Sequence, residues 1–238
     1  MKHGEARFLS CMYVLSLLLL AGFAANGLRS AAVVSTAAAA PAVIILDPGH
    51  GGMDGGASGA DGALESSLNL SIALKTDAVL GLLGEQTLLT RSTDTDLSGP
   101  EARTISQKKV ADIRRRVEIV NSQPGALLLS IHCNTYSEEK YHGAQVFYTG
   151  TEAKELSEIL QSALQTHVDP GNTRQAKTIS PDVYLMKHIT APGILLECGF
   201  LSNPAELRQL EDPGYQNRLA VTIGVTAACH RPEAFSGV

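Results

Sequence analysis

The stretch Val43-Ile44-Ile45-Leu46-Asp47-Pro48-Gly49-His50-Gly51-Gly52 decides how the chain folds. Its first five residues are an apolar, β-branched run that ends at a turn-forming Pro-Gly pair. Such a run reads as a strand buried on both faces. A Gly-rich loop follows through Gly62. Leu64, Leu68, Ile72, Val79 and Leu83 then recur at helical spacing, which predicts an amphipathic helix from Glu65 to about Leu83 with these residues inward. A strand, a glycine loop and a helix are the start of an α/β unit.

The alternation continues along the chain. Gln86–Arg91 reads as a second strand, and Ser92–Thr104 as a polar loop around Gly99-Pro100. A helix from Ser106 to about Ser122 turns Val110, Ile113, Val117 and Val120 inward. Ala126–His132 is a third strand, Asn134–Gly143 a polar loop and Gln145–Thr149 a fourth strand. A helix from Glu152 to about Val168 buries Leu156, Ile159, Leu160, Ala163 and Leu164. Two short strands, Val183–Met186 and Gly193–Glu197, follow a loop at Pro170-Gly171, and helices at Pro204–Leu210 and Tyr215–Cys229 close the pattern. The expected fold is a single α/β domain: a three-layer sandwich with a largely parallel central sheet of about six strands flanked by helices.

Composition narrows the class. Of 238 residues, 44% are hydrophobic and 18% charged, which suits a globular chain rather than a disordered one. The net charge of −5 and the lack of a basic stripe exclude nucleic acid as the expected partner. The triplet Arg114-Arg115-Arg116 lies among acidic neighbours and reads as a solvated face with room for one arginine turned inward. Four cysteines, Cys11, Cys133, Cys198 and Cys229, fit no zinc ribbon or disulfide framework, and those in the domain are read as small buried apolar residues.

The first 42 residues differ in kind. Lys2, His3 and Arg7 precede an apolar run from Phe8 to Ala25, and an Ala-rich stretch follows to Ala42. That order describes an export signal or a membrane anchor with a linker, in contact with the membrane. The organisation expected is therefore leader 1–42, folded domain 43–231 and short tail 232–238, with the domain acting outside the cytoplasmic membrane.

Four residues stand at strand ends or a helix start: His50, Glu65, His132 and Glu197. In an open parallel sheet the carboxyl ends of the strands are where ligands bind, so residues distant in sequence can meet there. Two imidazoles and one carboxylate form the ligand set of many catalytic zinc sites. A second carboxylate near the metal can move the proton that amide hydrolysis requires. Taken singly, each residue has a plain structural role as an alternative, such as an ion pair or a helix-terminus charge.

The ordered set is more specific. Leu46–Gly52, Glu65 with Asn69-Leu70, Thr90-Arg91 with Asp94, Ser130-Ile131-His132 with Asn134, and Glu197–Asn203 resemble the zinc-dependent N-acetylmuramoyl-L-alanine amidases of the AmiC and LytC kind, over about residues 43–230. The resemblance implies one Zn2+ held by His50, Glu65 and His132, with Glu197 as the catalytic carboxylate. Thr93–Leu97, Gly143–Tyr148, Thr173–Lys177 and Tyr184–Met186 resemble the germination-specific spore-cortex branch. That branch implies peptidoglycan as substrate, a role before muramic δ-lactam forms, and a sporulation-specific activating protein as a partner. Cys133 departs from the aliphatic residue usual there. Arg174 or the nearby Lys177, together with Asn134, is expected to contact substrate, because stem peptides carry carboxylates. Another exported zinc hydrolase, a carboxypeptidase or carbohydrate deacetylase, and an inactive wall-binding protein are the competing readings.

Overall fold

The computed structural model describes residues 43–230. The leader 1–42, with Cys11, and the tail from 231 lie outside the described residues. Among the described residues no helix is long and apolar enough to cross a membrane.

Six strands form one sheet: β1 Ile44–Pro48, β2 Thr87–Leu89, β3 Leu127–Asn134, β4 Gln145–Thr149, β5 Lys177–Thr178 and β6 Gly193–Phe200. Their spatial order is β2-β1-β3-β6-β4-β5. The β1–β2, β1–β3 and β3–β6 pairs are parallel, whereas β4 lies antiparallel to β6. The helices are α1 Glu65–Leu82, α2 Ile105–Asn121, α3 Glu152–His167, α4 Tyr184–His188, α5 Pro204–Glu211 and α6 Pro213–Cys229. Side-chain alternation along the strands feeds two cores. Ile44, Leu46, Leu129, Ile131 and Leu196 pack with α1, α3 and α6 on one face; Ile45, Leu128 and Leu195 pack with α2 and α4 on the other. The expected three-layer sandwich is present.

Helix boundaries follow local chemistry. Thr104 and Gln107 form a reciprocal capping box at α2. Asn203 caps α5 and Asp212 caps α6, each followed by proline at the first helical position. The segment Val183–Met186, expected as a strand, is instead the extended lead-in and first turns of α4. Adjacent Leu185 and Met186 are both buried, and His188 Nδ1 returns to the Tyr184 carbonyl at 2.8 Å. A short apolar run does not distinguish strand from helix, and here the helix buries two consecutive side chains on one side. The sixth strand is the two-residue β5, which no sequence signal marks. Some inner faces also shift. Leu64 and Leu83 flank α1 at 40% and 48% exposure, while Ala73, Thr76 and Leu80 take the buried face. Val110 is likewise exposed on α2. Cys133 and Cys198 are buried as expected, but Cys229 is exposed; all three are free thiols.

The loop after β1 is built around charge. Asp47, in the sheet, accepts from Arg116 Nη1 at 2.6 Å, Thr90 Oγ1 at 2.7 Å and Ser130 Oγ at 2.8 Å. Burial alone would raise the Asp47 pKa, yet Arg116 and the two hydroxyls hold it below the ordinary value. Of the arginine triplet, Arg116 is the one turned inward, whereas Arg114 and Arg115 are solvated. Arg116 also reaches the carbonyls of Pro48 and His50, at 2.9 and 2.7 Å. Removing one partner of a buried pair leaves the other charge desolvated, at a cost of roughly 3–5 kcal/mol. Arg116→Ala should therefore lower the melting temperature by roughly 10 °C. Arg114→Ala, on the solvated side of the same helix, should shift it by no more than about 2 °C. Calorimetry on the two variants checks this; equal small shifts would remove the pair from the stability account.

Candidate metal centre

The chain crosses from β1 through α1 to β2 on one face, and from β2 through α2 to β3 on the other. The crevice at the carboxyl ends of β1 and β3 is thus a topological switch point, the place where open α/β sheets bind ligands. His50 follows β1 there, and His132 lies near the end of β3. Glu65 opens α1 and reaches both. Its Oε2 lies 3.3 Å from His50 Nε2, and its Oε1 lies 3.0 Å from His132 Nδ1. Ligand atoms of His50, Glu65 and His132 all fall within 4.8 Å of one another.

Several constraints bring the three together. His50 has φ 61°, a left-handed backbone uncommon outside glycine. The carbonyls around it are gripped from two sides: by Arg116 as above, and by Arg91, which donates to Pro48, Gly49 and Ser66 at 2.9, 2.9 and 2.8 Å. Asn69 Nδ2 bridges the Gly49 carbonyl and Glu65 Oε1. Gly49 is required by packing, since a Cβ there would lie 2.1 Å from the His132 ring. At Gly56 a Cβ would meet Glu65 Oε2 at 2.5 Å. Glu65 is further fixed by the backbone N–H groups of Ala57 and Cys133.

Asp54 is a member of the site that sequence reading did not single out. Its Oδ2 lies 2.9 Å from His50 Nδ1, and its Oδ1 pairs with Lys109 at 2.9 Å. A carboxylate on Nδ1 fixes the imidazole tautomer and presents Nε2 to the centre of the site. The signal was its place four residues after His50 in the glycine loop. Burial opposes a charged His50, but Glu65 and Asp54 outweigh it and push the pKa up to about 9. Burial also opposes the Glu65 carboxylate, and the hydrogen bonds from His132 and His50 still hold it far below the ordinary range.

Glu197 sits on β6 directly opposite His132 in the strand register. Its Oε2 is shut off from solvent and has no hydrogen-bond partner among the described residues. Burial raises its pKa, and the Glu65 charge adds to that, against the opposing influence of His132 and His50. Cys133 and Cys198 point to the opposite face and join the core there, so neither faces the donors. Asn134 ends β3, where its Oδ1 accepts the Thr135 N–H. Arg174 lies against the Phe200 ring at 4.4 Å and bonds to Gln145, the register partner of Glu197. Lys177 is exposed in β5.

The donors suit zinc. Tetrahedral zinc with ligands at about 2.0–2.1 Å separates neighbouring donor atoms by about 3.3 Å. The distance from His50 Nε2 to Glu65 Oε2 matches that edge. Two imidazoles and one carboxylate also leave a fourth position open, as hydrolytic zinc sites do.

Residues 44–227 match the sequence profile of the N-acetylmuramoyl-L-alanine amidase family Amidase_3. The germination-specific N-acetylmuramoyl-L-alanine amidase of Bacillus subtilis (strain 168) is 40% identical over 183 residues, 76% of each chain. N-acetylmuramoyl-L-alanine amidase LytC of the same organism is 30% identical over 76% of this chain, which spans 34% of that longer protein. Among solved structures, the CwlD amidase from Clostridioides difficile, in complex with the GerS lipoprotein, superposes with a TM-score of 0.74 at 38% identity, covering 78% of this chain and 95% of that one. With the sandwich, the profile and these relatives in agreement, the chain belongs to the N-acetylmuramoyl-L-alanine amidase family.

Proposed function

We propose that the chain is a zinc-dependent cell-wall amidase that cuts the amide between the muramic acid lactyl group and L-alanine of the stem peptide, acting in spore-cortex maturation. The observation that carries the reading is the His50–Glu65–His132 donor set, with the unpartnered Glu197 Oε2 on the neighbouring strand. Zinc held there by His50, Glu65 and His132 would supply Lewis acidity toward the scissile carbonyl and the attacking water.

The chain's own residues do the rest. His50, Glu65 and His132 hold the ion, and Asp54, Arg91, Arg116 and Asn69 hold those ligands and their loop in place. Glu197 stays outside the ligand set, because a fourth protein ligand would close the position water needs. Its Oε2 takes the proton of the attacking water and passes it to the departing alanine nitrogen. Arg174 is assigned to a carboxylate of the stem peptide, and Asn134 to the substrate beside His132. Cleavage frees the lactyl carboxyl group, whose later condensation with a deacetylated sugar amine, with loss of water, closes a δ-lactam; the 40% identity to a germination-specific amidase favours that setting. The leader 1–42 would carry the domain across the membrane to the wall, as a cleaved signal or as an anchor. The GerS complex of the CwlD relative motivates an activating protein partner here as well.

Muropeptide mass spectrometry after digestion with zinc-loaded protein should show new L-alanine amino termini on released stem peptides. Loss of a terminal amino acid or an acetyl group instead would point to a carboxypeptidase or deacetylase. Glu197→Gln should keep stoichiometric zinc and lose at least roughly a hundredfold in turnover. Loss of the metal would make Glu197 a ligand, and near-full turnover would remove it from the mechanism. Asp54→Ala should weaken zinc binding by about 10–100-fold in chelator competition, because His50 loses the partner on Nδ1. Unchanged affinity would show that Asp54 does not orient the ligand.

A further inference from the structure

The mechanism uses only one pole of the domain. The candidate metal site lies at the carboxyl ends of β1 and β3. The opposite pole collects the turns that feed the amino ends of the parallel strands: residues 82–86 before β2, 122–126 before β3 and 189–192 before β6. Along the eight residues of β3 the two poles are roughly 23 Å apart. Backbone bonds tie the turns to the start of β1. The Ile44 N–H donates to the Gln86 carbonyl at 2.9 Å, the Leu127 N–H to the Val43 carbonyl at 3.1 Å, and the Leu128 N–H to the Pro192 carbonyl at 3.0 Å. The chain therefore enters the domain, at Val43, in the middle of this pole. Only residues 26–42 lie between that entry and the apolar run from Phe8 to Ala25.

The first of these turns presents two leucines to solvent. Leu82 is 89% exposed and Leu83 48%. Both stand on a fixed support at the end of α1. The Leu83 N–H donates to the Val79 carbonyl at 3.1 Å and the Glu85 N–H to the Leu80 carbonyl at 3.0 Å, while Gly84, at φ 82°, makes the left-handed turn that closes the helix. The lower half of α6 packs against the same end of α1, since a Cβ on Gly224 would lie 2.7 Å from Val79. It brings the exposed Val225 and Cys229 to this pole. Single exposed leucines are ordinary on protein surfaces, but an adjacent pair at the tip of a fixed turn makes a patch.

The three turns carry one charged side chain among them, the half-buried Glu85. Other charges stand at the margin and are of both signs: Lys187 and His188 end α4, and Glu152 and Glu155 open α3 beside the antiparallel β4. Charge therefore selects neither an acidic nor a basic partner, and what remains is an apolar, tip-first contact. A bilayer accepts apolar side chains from a rigid turn without a matching protein surface. The leader decides between a bilayer and other apolar partners. Its basic start and apolar run read as membrane-directed, and it joins the domain at this pole and not at the other.

We infer that this pole, led by Leu82 and Leu83, docks the domain on a lipid bilayer and turns the candidate metal site away from it, toward the wall. The inference rests on the leader as a membrane-directed segment and adds an orientation to the amidase reading. The chain contains no tryptophan, so Leu82→Trp introduces a sole indole fluorophore. The full chain carrying it is reconstituted into phosphatidylcholine vesicles with brominated acyl chains, which quench an indole only on contact. Emission should shift to the blue and fall to about half or less of its value in unbrominated vesicles. Met53→Trp, exposed in the loop after His50 at the other pole, should not be quenched. Adding Leu83→Glu to Leu82→Trp should relieve most of the quenching. Salt at about 0.5 M should leave it in place, because the contact is apolar. Absence of quenching in Leu82→Trp, equal quenching in Met53→Trp, no relief by Leu83→Glu or loss of quenching in salt would overturn the inference. So would a blue shift that grows with protein concentration and ignores brominated lipid, which would mean that a second copy covers the pole. Release of L-alanine amino termini from peptidoglycan by the wild-type full chain, reconstituted in the same way, separates that failure from a failure of the amidase reading.

Discussion

The contact between Arg116 and Asp47, buried between α2 and the sheet and almost free of solvent, is the constraint on which the rest of the site depends. Strand β1 must stop, and its carbonyls at Pro48, Gly49 and His50 leave the ladder with no strand to receive them. Buried carbonyls without donors would be costly. Arg116 and Arg91 supply the donors from outside the strand. Two cations so close to each other need a counter-charge, and Asp47 and Asp112 provide it. The result is a loop stiff enough to hold His50 in a left-handed conformation that it would otherwise rarely adopt.

From that loop the arrangement of the candidate metal site follows by geometry. His50 is aimed by Asp54 from one side, and Glu65 is aimed by two backbone N–H groups and Asn69 from another. His132 fits only because Gly49 has no side chain. Glu65 belongs to the first turn of α1, where the helix dipole favours its negative charge and the N-cap residue Leu64 offers no side-chain cap. The parallel β3–β6 register then places Glu197 level with His132 while turning Cys133 and Cys198 into the core on the other side. The grouping of His50, Glu65 and His132, with Glu197 level with His132, thus follows from one sheet's topology and register.

Much of this was legible in the sequence where the chemistry is local. The apolar run before Pro48-Gly49 and the alternation after it announce the sandwich, and three of the four residues at element ends, His50, Glu65 and His132, lie together in it with Glu197 on the neighbouring strand. What escaped were features that depend on tertiary context. Val183–Met186 has strand-like composition, yet it buries Leu185 and Met186 side by side as a helix. Lys177–Thr178 is too short to carry a pattern and becomes a strand only because Phe147 and Tyr148 lie beside it. Arg116 is indistinguishable in sequence from Arg114 and Arg115. Only the helix's placement against β1 selects it for burial. Asp54 was hidden for a similar reason, since its role appears only once His50 is turned toward Glu65.

The central claim is that His50, Glu65 and His132 are the protein ligands of one catalytic zinc, with Glu197 beside it and not bound to it. Anomalous diffraction at the zinc absorption edge on crystals of the zinc-loaded protein tests this most directly. The account predicts one peak at about 2.0–2.2 Å from His50 Nε2, His132 Nδ1 and a Glu65 carboxylate oxygen. A peak away from these three residues, or one with Glu197 inside the coordination sphere, would contradict it.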